Sequence, residues 1–362
     1  MDKRALIIGG TGQIGRAAAT RLANDGWNVT ITSRRPPAEN DVQAVWGDGF
    51  EVSDNIRFRL FDRDDTDTLR EAAEGCDLVV DAVAYEENHA DQLVGLGDSI
   101  GSLIVISTGS VAIDPDGYTF DEATGPDDFP RFPVPMTEDH PTINKDLLKP
   151  ENRTYSALKA EIERRVLASK AAPVTVLRPG AIYGPHSYAL REWYFIKRAL
   201  DSRPHTVLAD GGKSVFSTSS AANIAALIGL TAEKPGAGVV NAVDDDYLTT
   251  AEIGQTIFDL MGHEGKIETF AGPPQGDLGR SPWGIHHPLI MDMTKAKHAL
   301  GYEQPAGYKA SVPTAVKWVM ELRRSAARRG NNWLDDFPGL GVERTRSWFN
   351  YELEDQHVAQ SD

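Results

Sequence analysis

Short apolar runs separated by helical periodicity organise the first 110 residues. Ala5-Leu6-Ile7-Ile8, Val29-Thr30-Ile31-Thr32, Ile56 to Leu60, Asp77 to Val83 and Leu103 to Ser107 read as five strands, with helices at Gln13 to Asn24 and Asp67 to Glu74. Apolar residues stand at consecutive positions in these strands instead of alternating. Strands of that kind are buried on both faces, so the pattern predicts a parallel sheet with helices on either side.

The pattern lapses from Ala112 to Pro150, a stretch rich in Asp, Glu and Pro. A loop that long inside a domain usually serves the site or moves. A helix carrying Tyr155 and Lys159 follows and runs to about Ser169, then a sixth strand at Val174 to Leu177 that ends in Arg178-Pro179-Gly180. Further on, the periodicity predicts a helix at Ala189 to Leu200, short strands near Val207 and Val215, and a helix at Ala221 to Thr231. A strand at Val239 to Ala242 and helices at Thr250 to Met261 and Ser311 to Arg324 complete it. The expected division is a sheet domain over residues 1–185, to which parts of 205–245 return, and a smaller α/β substrate region over 186–330. The tail, 331–362, holds Trp333, Trp348, Phe349 and Tyr351 and is too aromatic for plain disorder. It is expected to dock on the body or on a second subunit.

Charge and composition narrow the partners. Lys and Arg number 37 against 53 Asp and Glu, a net charge of −16, which argues against nucleic acid and acidic membranes. No run approaches the roughly 18 to 20 apolar residues of a membrane span. The first residues lead directly into a strand, without the apolar region or cleavage site of a signal peptide. The single cysteine, Cys76, excludes an internal disulfide framework, so a cytoplasmic protein is expected. A small-molecule substrate remains.

The loop between the first strand and first helix reads Gly9-Gly10-Thr11-Gly12-Gln13-Ile14-Gly15. Glycines spaced G-x-x-G-x-x-G permit a tight turn and close backbone approach, so the helix N-terminus can meet a pyrophosphate. This points to a Rossmann doubly wound sheet that binds a dinucleotide. The second strand ends in Ser33-Arg34-Arg35, with no carboxylate until Glu39. A hydroxyl and two guanidiniums suit a 2′-phosphate, so NADP(H) is favoured and NAD(H) is the alternative. Asp62 and Arg63 stand where an adenine edge would be read, and Ala82-Val83-Ala84 where the cofactor's middle would pass. The fifth strand ends in Ser107-Thr108-Gly109-Ser110, at the edge of a parallel sheet where ligands gather. Tyr155 and Lys159 are four apart and share a helix face. An ammonium there can lower the phenol's pKa toward neutrality and make it an acid/base. That spacing alone also fits an exposed helix pair; the glycine loop and the strand-end hydroxyl give it weight.

These motifs, in order over about the first 185 residues, resemble an extended short-chain dehydrogenase/reductase of the NAD-dependent epimerase/dehydratase branch. Those that match are Gly9 to Gly15, Ile106-Ser107-Thr108, Tyr155-Ser156-Ala157-Leu158-Lys159 and Arg178 to Pro185. Gly238-Val239-Val240-Asn241, Thr249 to Ile253 and Ala299-Leu300-Gly301-Tyr302 fit the more variable second half. The resemblance implies that Thr108 is the catalytic Ser/Thr beside Ser107 and that Tyr155 is the general acid/base. It implies that Lys159 binds the nicotinamide ribose while depressing the Tyr155 pKa. Pro179, Gly180 and Ile182 would lie beside the nicotinamide. It further implies hydride transfer coupled to proton transfer, and a homodimer formed through the Tyr-bearing helix and its neighbour.

Three departures qualify the reaction. Thr108 and Tyr155 are 47 positions apart, about twice the family's usual interval, and the excess is the acidic, Pro-rich stretch. Members that dehydrate nucleotide sugars carry Asp-Glu after the catalytic Thr, whereas Gly109-Ser110 stands here, which argues against dehydration. Where nucleotide-sugar epimerases carry an Arg for the substrate diphosphate, this chain has Phe216 or Val215, with Lys213 the only nearby cation. Candidate substrate contacts are Ser110, His186, Trp193 and Tyr194, then His286 and His287. The adjacent histidines lack a carboxylate at metal-ligand spacing, so no catalytic metal is expected. Three readings stay open: an NAD(P)-dependent reductase or dehydrogenase of a sugar-like or other small substrate, an epimerase with tightly bound NAD, and a non-catalytic dinucleotide sensor.

Overall fold

The computed structural model describes residues 3–35, 45–46, 52–144, 153–337, 340 and 346–361; Glu39 and Pro150, named above, lie outside them. The amino-terminal half runs β1 (Arg4–Ile8), α1 (Gln13–Asn24), β2 (Asn28–Ser33), β3 (Ile56–Leu60), α2 (Thr66–Ala73) and β4 (Leu78–Asp81). It continues with α3 (Glu87–Val94), β5 (Leu103–Ile106), α4 (Tyr155–Ala168) and β6 (Val174–Arg178). With β10 (Gly238–Asn241) these strands form one sheet in the order β3-β2-β1-β4-β5-β6-β10, every pairing parallel. Strand order reverses beside β1, which opens a crevice at the carboxyl ends of the strands.

Alternation within β1 shows why the strands read as continuous apolar runs. Ala5 and Ile7 join a core with Ala18, Leu22, Ile224 and Leu227, whereas Leu6 and Ile8 join one with Leu69, Leu93, Ile162 and Val166. Both faces are covered from Ala5 to Ile8, so those four positions are all apolar, and only Arg4 at the exposed start of the strand is charged. Helix α3 escaped the sequence reading because its segment, Glu-Asn-His-Ala-Asp-Gln-Leu-Val, is mostly polar. A capping box between Glu86 and His89 starts it, and His89, Ala90, Gln92 and Leu93 are buried.

The second half continues with β7 (Ala181–Tyr183), α5 (Trp193–Leu200), β8 (His205–Leu208), β9 (Thr218–Ser220) and α6 (Ala221–Glu233); α6 packs back on α1 over the large sheet, and the others begin a smaller α/β layer. Then follow α7 (Thr250–Met261), β11 (Lys266–Thr269), α8 (Tyr308–Arg328) and α9 (Tyr351–Ser361). Strand β7 pairs with β9 and β8 with β11. The helix expected from Ala189 begins only at Trp193, because Leu190 has a φ of 39°. The strand expected near Val215 is a single bridge, Phe216 to Leu289, and the regular strand starts at Thr218. Among the described residues no helix is long and apolar enough to cross a membrane.

The tail docks on the body. The fully buried Arg198 guanidinium meets Glu354 Oε1 at 2.6 Å, donates to the Trp348 carbonyl at 2.6 Å and lies 3.7 Å from the Tyr194 ring centre. Tyr351 donates its hydroxyl proton to Asp201 at 2.7 Å. The acidic stretch after β5 is ordered by its own carboxylates. Asp114 accepts backbone N–H bonds from Asp116, Tyr118 and Arg131, and Asp128 from Thr124 and Gly125. Its Asp content therefore replaces strand and helix ladders as the sink for backbone donors.

Candidate active site

The glycine loop is built to admit an anion. Gly9 has a φ of 78°, and a Cβ there would lie 2.6 Å from Val83 Cγ1. A Cβ on Gly15 would lie 2.4 Å from the Gly9 carbonyl, so α1 can pack against the loop only without a side chain there. Gly12 caps α1 with no side chain over the helix N–H groups and is exposed. An open helix N-terminus favours negative charge. Gln13 Nε2 and Arg16 Nε are buried there, with no hydrogen-bond partner among the described residues. Burial lowers the Arg16 pKa to about 10. The loop, with these two donors, fits a pyrophosphate.

At the end of β2, Ser33 Oγ accepts the Arg35 N–H at 3.2 Å and leaves both arginines exposed. Asp62 is also exposed. Arg63 departs from expectation. It turns inward, donates to Asp81 Oδ2 at 2.6 Å and to Gln92 Oε1 at 2.8 Å, and is 7% exposed. A buried guanidinium needs such partners, so Arg63 is committed beneath the strand ends and cannot read an adenine edge. Val83 lines the glycine loop, but Ala84 is fully buried in the core and presents nothing to a ligand.

The proton-transfer residues meet above β5. Thr108 Oγ1 lies 3.0 Å from Ser110 Oγ, which lies 2.7 Å from Ser156 Oγ, next to Tyr155 in the first turn of α4. A line of hydroxyls thus joins the strand end to the Tyr155 helix. Lys159 is 2% exposed and donates to the Ile106 carbonyl at 2.7 Å. Its ammonium sits 4.8 Å from the Tyr85 ring centre and 5.9 Å from that of Tyr155. Burial lowers its pKa to about 8, against the pull of Asp81 and Glu163.

The expected depression of the Tyr155 pKa is not what this geometry gives. Its ring is 47% exposed, yet desolvation raises the phenol above its ordinary value, and the nearby Tyr85 and Asp121 add to that. Lys159 donates to the Ile106 carbonyl, with its ammonium 5.9 Å from the Tyr155 ring centre, and does not offset that rise. The phenol is therefore held protonated.

Other expected contacts separate. Pro179 accepts the Gly109 N–H at 2.8 Å, which ties the two strand-end motifs together. Gly180 gives its N–H to Ser219 Oγ at 2.9 Å, and a Cβ on it would strike the Ser217 carbonyl, so it serves strand packing. Ile182 is half-buried in β7, and Ser107 is buried with its hydroxyl unpartnered among the described residues. Trp193 packs edge-on against Trp333 at 4.6 Å and Tyr194 is fully buried, so both are core residues and not substrate contacts. His186, with a φ of 63°, lies against Trp318; burial and Arg16 push its pKa down to about 3, which keeps it neutral.

Four residues that the sequence did not point to join the site. Tyr85 packs 6.1 Å from Tyr155, ring centre to ring centre. Asp121, from the acidic stretch, accepts the Ser156 N–H at 2.7 Å and so caps the helix that carries Tyr155. Phe120 beside it packs on Phe216 at 5.5 Å. Arg191 lies 6.0 Å from the Phe216 ring, so Lys213 is not the only cation near that position. Tyr85 could have been suspected from its place just past β4; the others are brought in by a segment without periodicity or from 25 residues away. Among the described residues no group of three His, Cys, Asp or Glu could hold a metal ion.

Residues 5–102 match the sequence model of the NAD dependent epimerase/dehydratase family. No curated protein sequence matches the chain. Among solved structures, an epimerase from Methanothermobacter thermautotrophicus superimposes with a TM-score of 0.65 at 17% identity, over 91% of this chain and 95% of that one. dTDP-glucose 4,6-dehydratase from Bacillus anthracis, in complex with NAD, gives 0.63 at 19% identity, over 88% and 97%. UDP-glucuronic acid 4-epimerase from Bacillus cereus, in complex with UDP-glucuronic acid and NAD, gives 0.63 at 17%, over 88% and 99%. Identities of this size establish the fold.

Proposed function

Starting from residues 5–102 as an NAD dependent epimerase/dehydratase family domain, we propose that the chain is an NAD(P)-dependent reductase, with NADP(H) favoured, of a carbonyl on a sugar-like or other small substrate. The observation that carries this reading is the placement of Tyr155 beside Lys159, on a helix joined to Thr108 through Ser110 and Ser156. The glycine loop would hold the pyrophosphate, Arg34 and Arg35 the 2′-phosphate, and Lys159 the nicotinamide ribose. The bound dinucleotide supplies the hydride. Thr108 donates a hydrogen bond to the substrate oxygen, and the hydroxyls of Ser110 and Ser156 keep Thr108 in that orientation. Tyr155 gives its proton to the same oxygen as the alcohol forms. Reduction needs an acid at the oxygen, and the phenol of Tyr155 can supply that proton.

Replacing Tyr155 by Phe tests the reading. NADPH consumption with a panel of keto sugars and other small carbonyl compounds should fall by about 10² to 10⁴, while NADPH binding stays within about threefold. Undiminished turnover in Tyr155→Phe would refute it.

A second reading, an epimerase that keeps its cofactor, is favoured by the fold shared with two epimerases. Against it stands Phe216 or Val215 at the position expected for the diphosphate-gripping Arg, with Phe120 packed on Phe216, although Arg191 lies 6.0 Å from that ring. A homodimer through α4 and α3 belongs to the same proposal, and a solution mass near 39.5 kDa would contradict it.

A further inference from the structure

Side chains buried beneath the ends of β3 and β4 take no part in the proton transfer, yet they converge on one loop. Asp81 ends β4 and is fully buried; its Oδ1 accepts the Val83 N–H at 2.8 Å, while Oδ2 takes the Arg63 guanidinium at 2.6 Å. His89 Nδ1 accepts the Tyr85 N–H at 2.9 Å and the Glu86 N–H at 3.1 Å. An imidazole nitrogen that accepts carries no proton, so the ring proton is on Nε2, which donates to Asp64 Oδ1 at 2.8 Å. Burial, together with Arg63, lowers the His89 pKa and favours this neutral tautomer. Gln92 Nε2 closes the frame, donating to Thr66 Oγ1 at 2.9 Å and to the Arg63 and Asp64 carbonyls at 3.2 and 3.3 Å. The backbone N–H groups of Val83, Tyr85 and Glu86 are thus taken up by buried side chains where no strand or helix ladder serves them.

The frame holds the Tyr85 ring in place. That ring lies 6.1 Å from the Tyr155 ring, centre to centre, and 4.8 Å from Lys159 Nζ, nearer than the Tyr155 ring at 5.9 Å. Tyr85 is 45% exposed and Lys159 only 2%, so the aromatic ring stands between the ammonium and solvent. The charged groups facing Lys159 come from three segments. Asp81 of β4 and Glu163 of its own helix favour the ammonium, and Arg63 after β3 opposes it. The ring face also attracts the ammonium.

We propose that Tyr85 is a positioning residue of the proton-transfer pair: its ring is a wall shared by the Tyr155 phenol and the Lys159 ammonium, it keeps water from the ammonium, and the buried Asp81, Arg63 and His89 contacts hold it there. The proposal rests on the reductase reading for the chemistry of the pair. It gives Arg63 and His89 a task that neither a cofactor contact nor the proton path supplies.

Competitive acetylation of the full chain by acetic anhydride, followed residue by residue by mass spectrometry, gives the pH midpoint at which Lys159 titrates and needs no substrate. In the wild type it should lie at about 8. Tyr85→Ala admits water to the ammonium and removes a cation–π contact, two effects of opposite sign. Desolvation is the leading cause of the lowered pKa, so its relief prevails and the midpoint should rise by about one pH unit. Tyr85→Phe keeps the ring and should stay within about half a pH unit of the wild type. In turnover with NADPH and small carbonyl compounds, Tyr85→Ala should lower kcat by about tenfold, and Tyr85→Phe should recover most of it. Activity is lost as pH rises through the Lys159 midpoint, so this alkaline limb should move up with the midpoint in Tyr85→Ala. Melting temperature verifies folding, and Tyr85→Gln, which also lacks the ring, replaces Tyr85→Ala if that variant does not fold. An unchanged or lower midpoint in the ring-free variant overturns the proposal. So does a Tyr85→Phe that behaves like Tyr85→Ala. Failure of the reductase reading would show separately, as undiminished turnover in Tyr155→Phe, and would leave the Lys159 titration to stand by itself.

Discussion

Lys159→Met should stabilise the protein while removing its activity. The ammonium is 2% exposed, and its pKa falls from 10.5 to about 8 through burial. Each unit is worth about 1.4 kcal/mol, so the charged form costs about 3 kcal/mol in the fold. The sign follows from linkage. Below pH 8 both folded and unfolded chains bind the proton and the full cost is present. Between pH 8 and 10.5 only the unfolded chain stays protonated, so wild-type stability rises with pH. Methionine keeps the volume and loses one hydrogen bond, Nζ to the Ile106 carbonyl, worth about 1 kcal/mol. The net gain at pH 7 should be about 2 kcal/mol, and it should vanish by about pH 10.5. Urea denaturation at pH 7 and pH 10 measures it, with NADPH turnover alongside. A variant less stable than wild type at pH 7, by an amount that does not change with pH, would refute the reasoning and make Lys159 a structural residue.

Arg34→Ala and Arg35→Ala should each weaken NADPH by about 10- to 100-fold, the loss of one charge-assisted contact, and leave NADH within about threefold; equal losses for both dinucleotides would rule out a 2′-phosphate contact. Glu192 is buried at the start of α5, and desolvation raises its pKa from 4.5 to about 7. Stability is then complete below about pH 4.5 and falls as pH rises through 7, by about 3 kcal/mol. Glu192→Gln should recover most of that at pH 8 and nothing at pH 4, as read by denaturant midpoints.

The sheet was legible because burial on both faces leaves a plain signature in sequence. Helix α1 was read to the residue from its apolar periodicity, as was α7, whose start is set by the Thr249–Glu252 capping box; strand β3 was read to the residue too, although it is an edge strand in which only Ile56 is buried. Residue types at strand ends were legible only as far as position goes. Arg63 and Thr108 both follow strands, and nothing local says that one turns into a buried ion pair with Asp81 while the other is joined through Ser110 and Ser156 to the helix of Tyr155. Asp121, Phe120 and Arg191 were hidden because tertiary packing alone brings them to Tyr155 and Phe216. Direction of charge was hidden too. The spacing of Tyr155 and Lys159 says that they share a face, but burial decides that the phenol pKa is raised and the ammonium pKa lowered.

The central claim is a site that exchanges its dinucleotide at every turnover. Mass-spectrometric identification of the dinucleotide released when the purified protein is denatured tests it most directly. The account predicts NADP(H), present at well below one per chain and lost on dialysis. NAD⁺ at one per chain, surviving dialysis, would contradict it and establish the cofactor-retaining alternative.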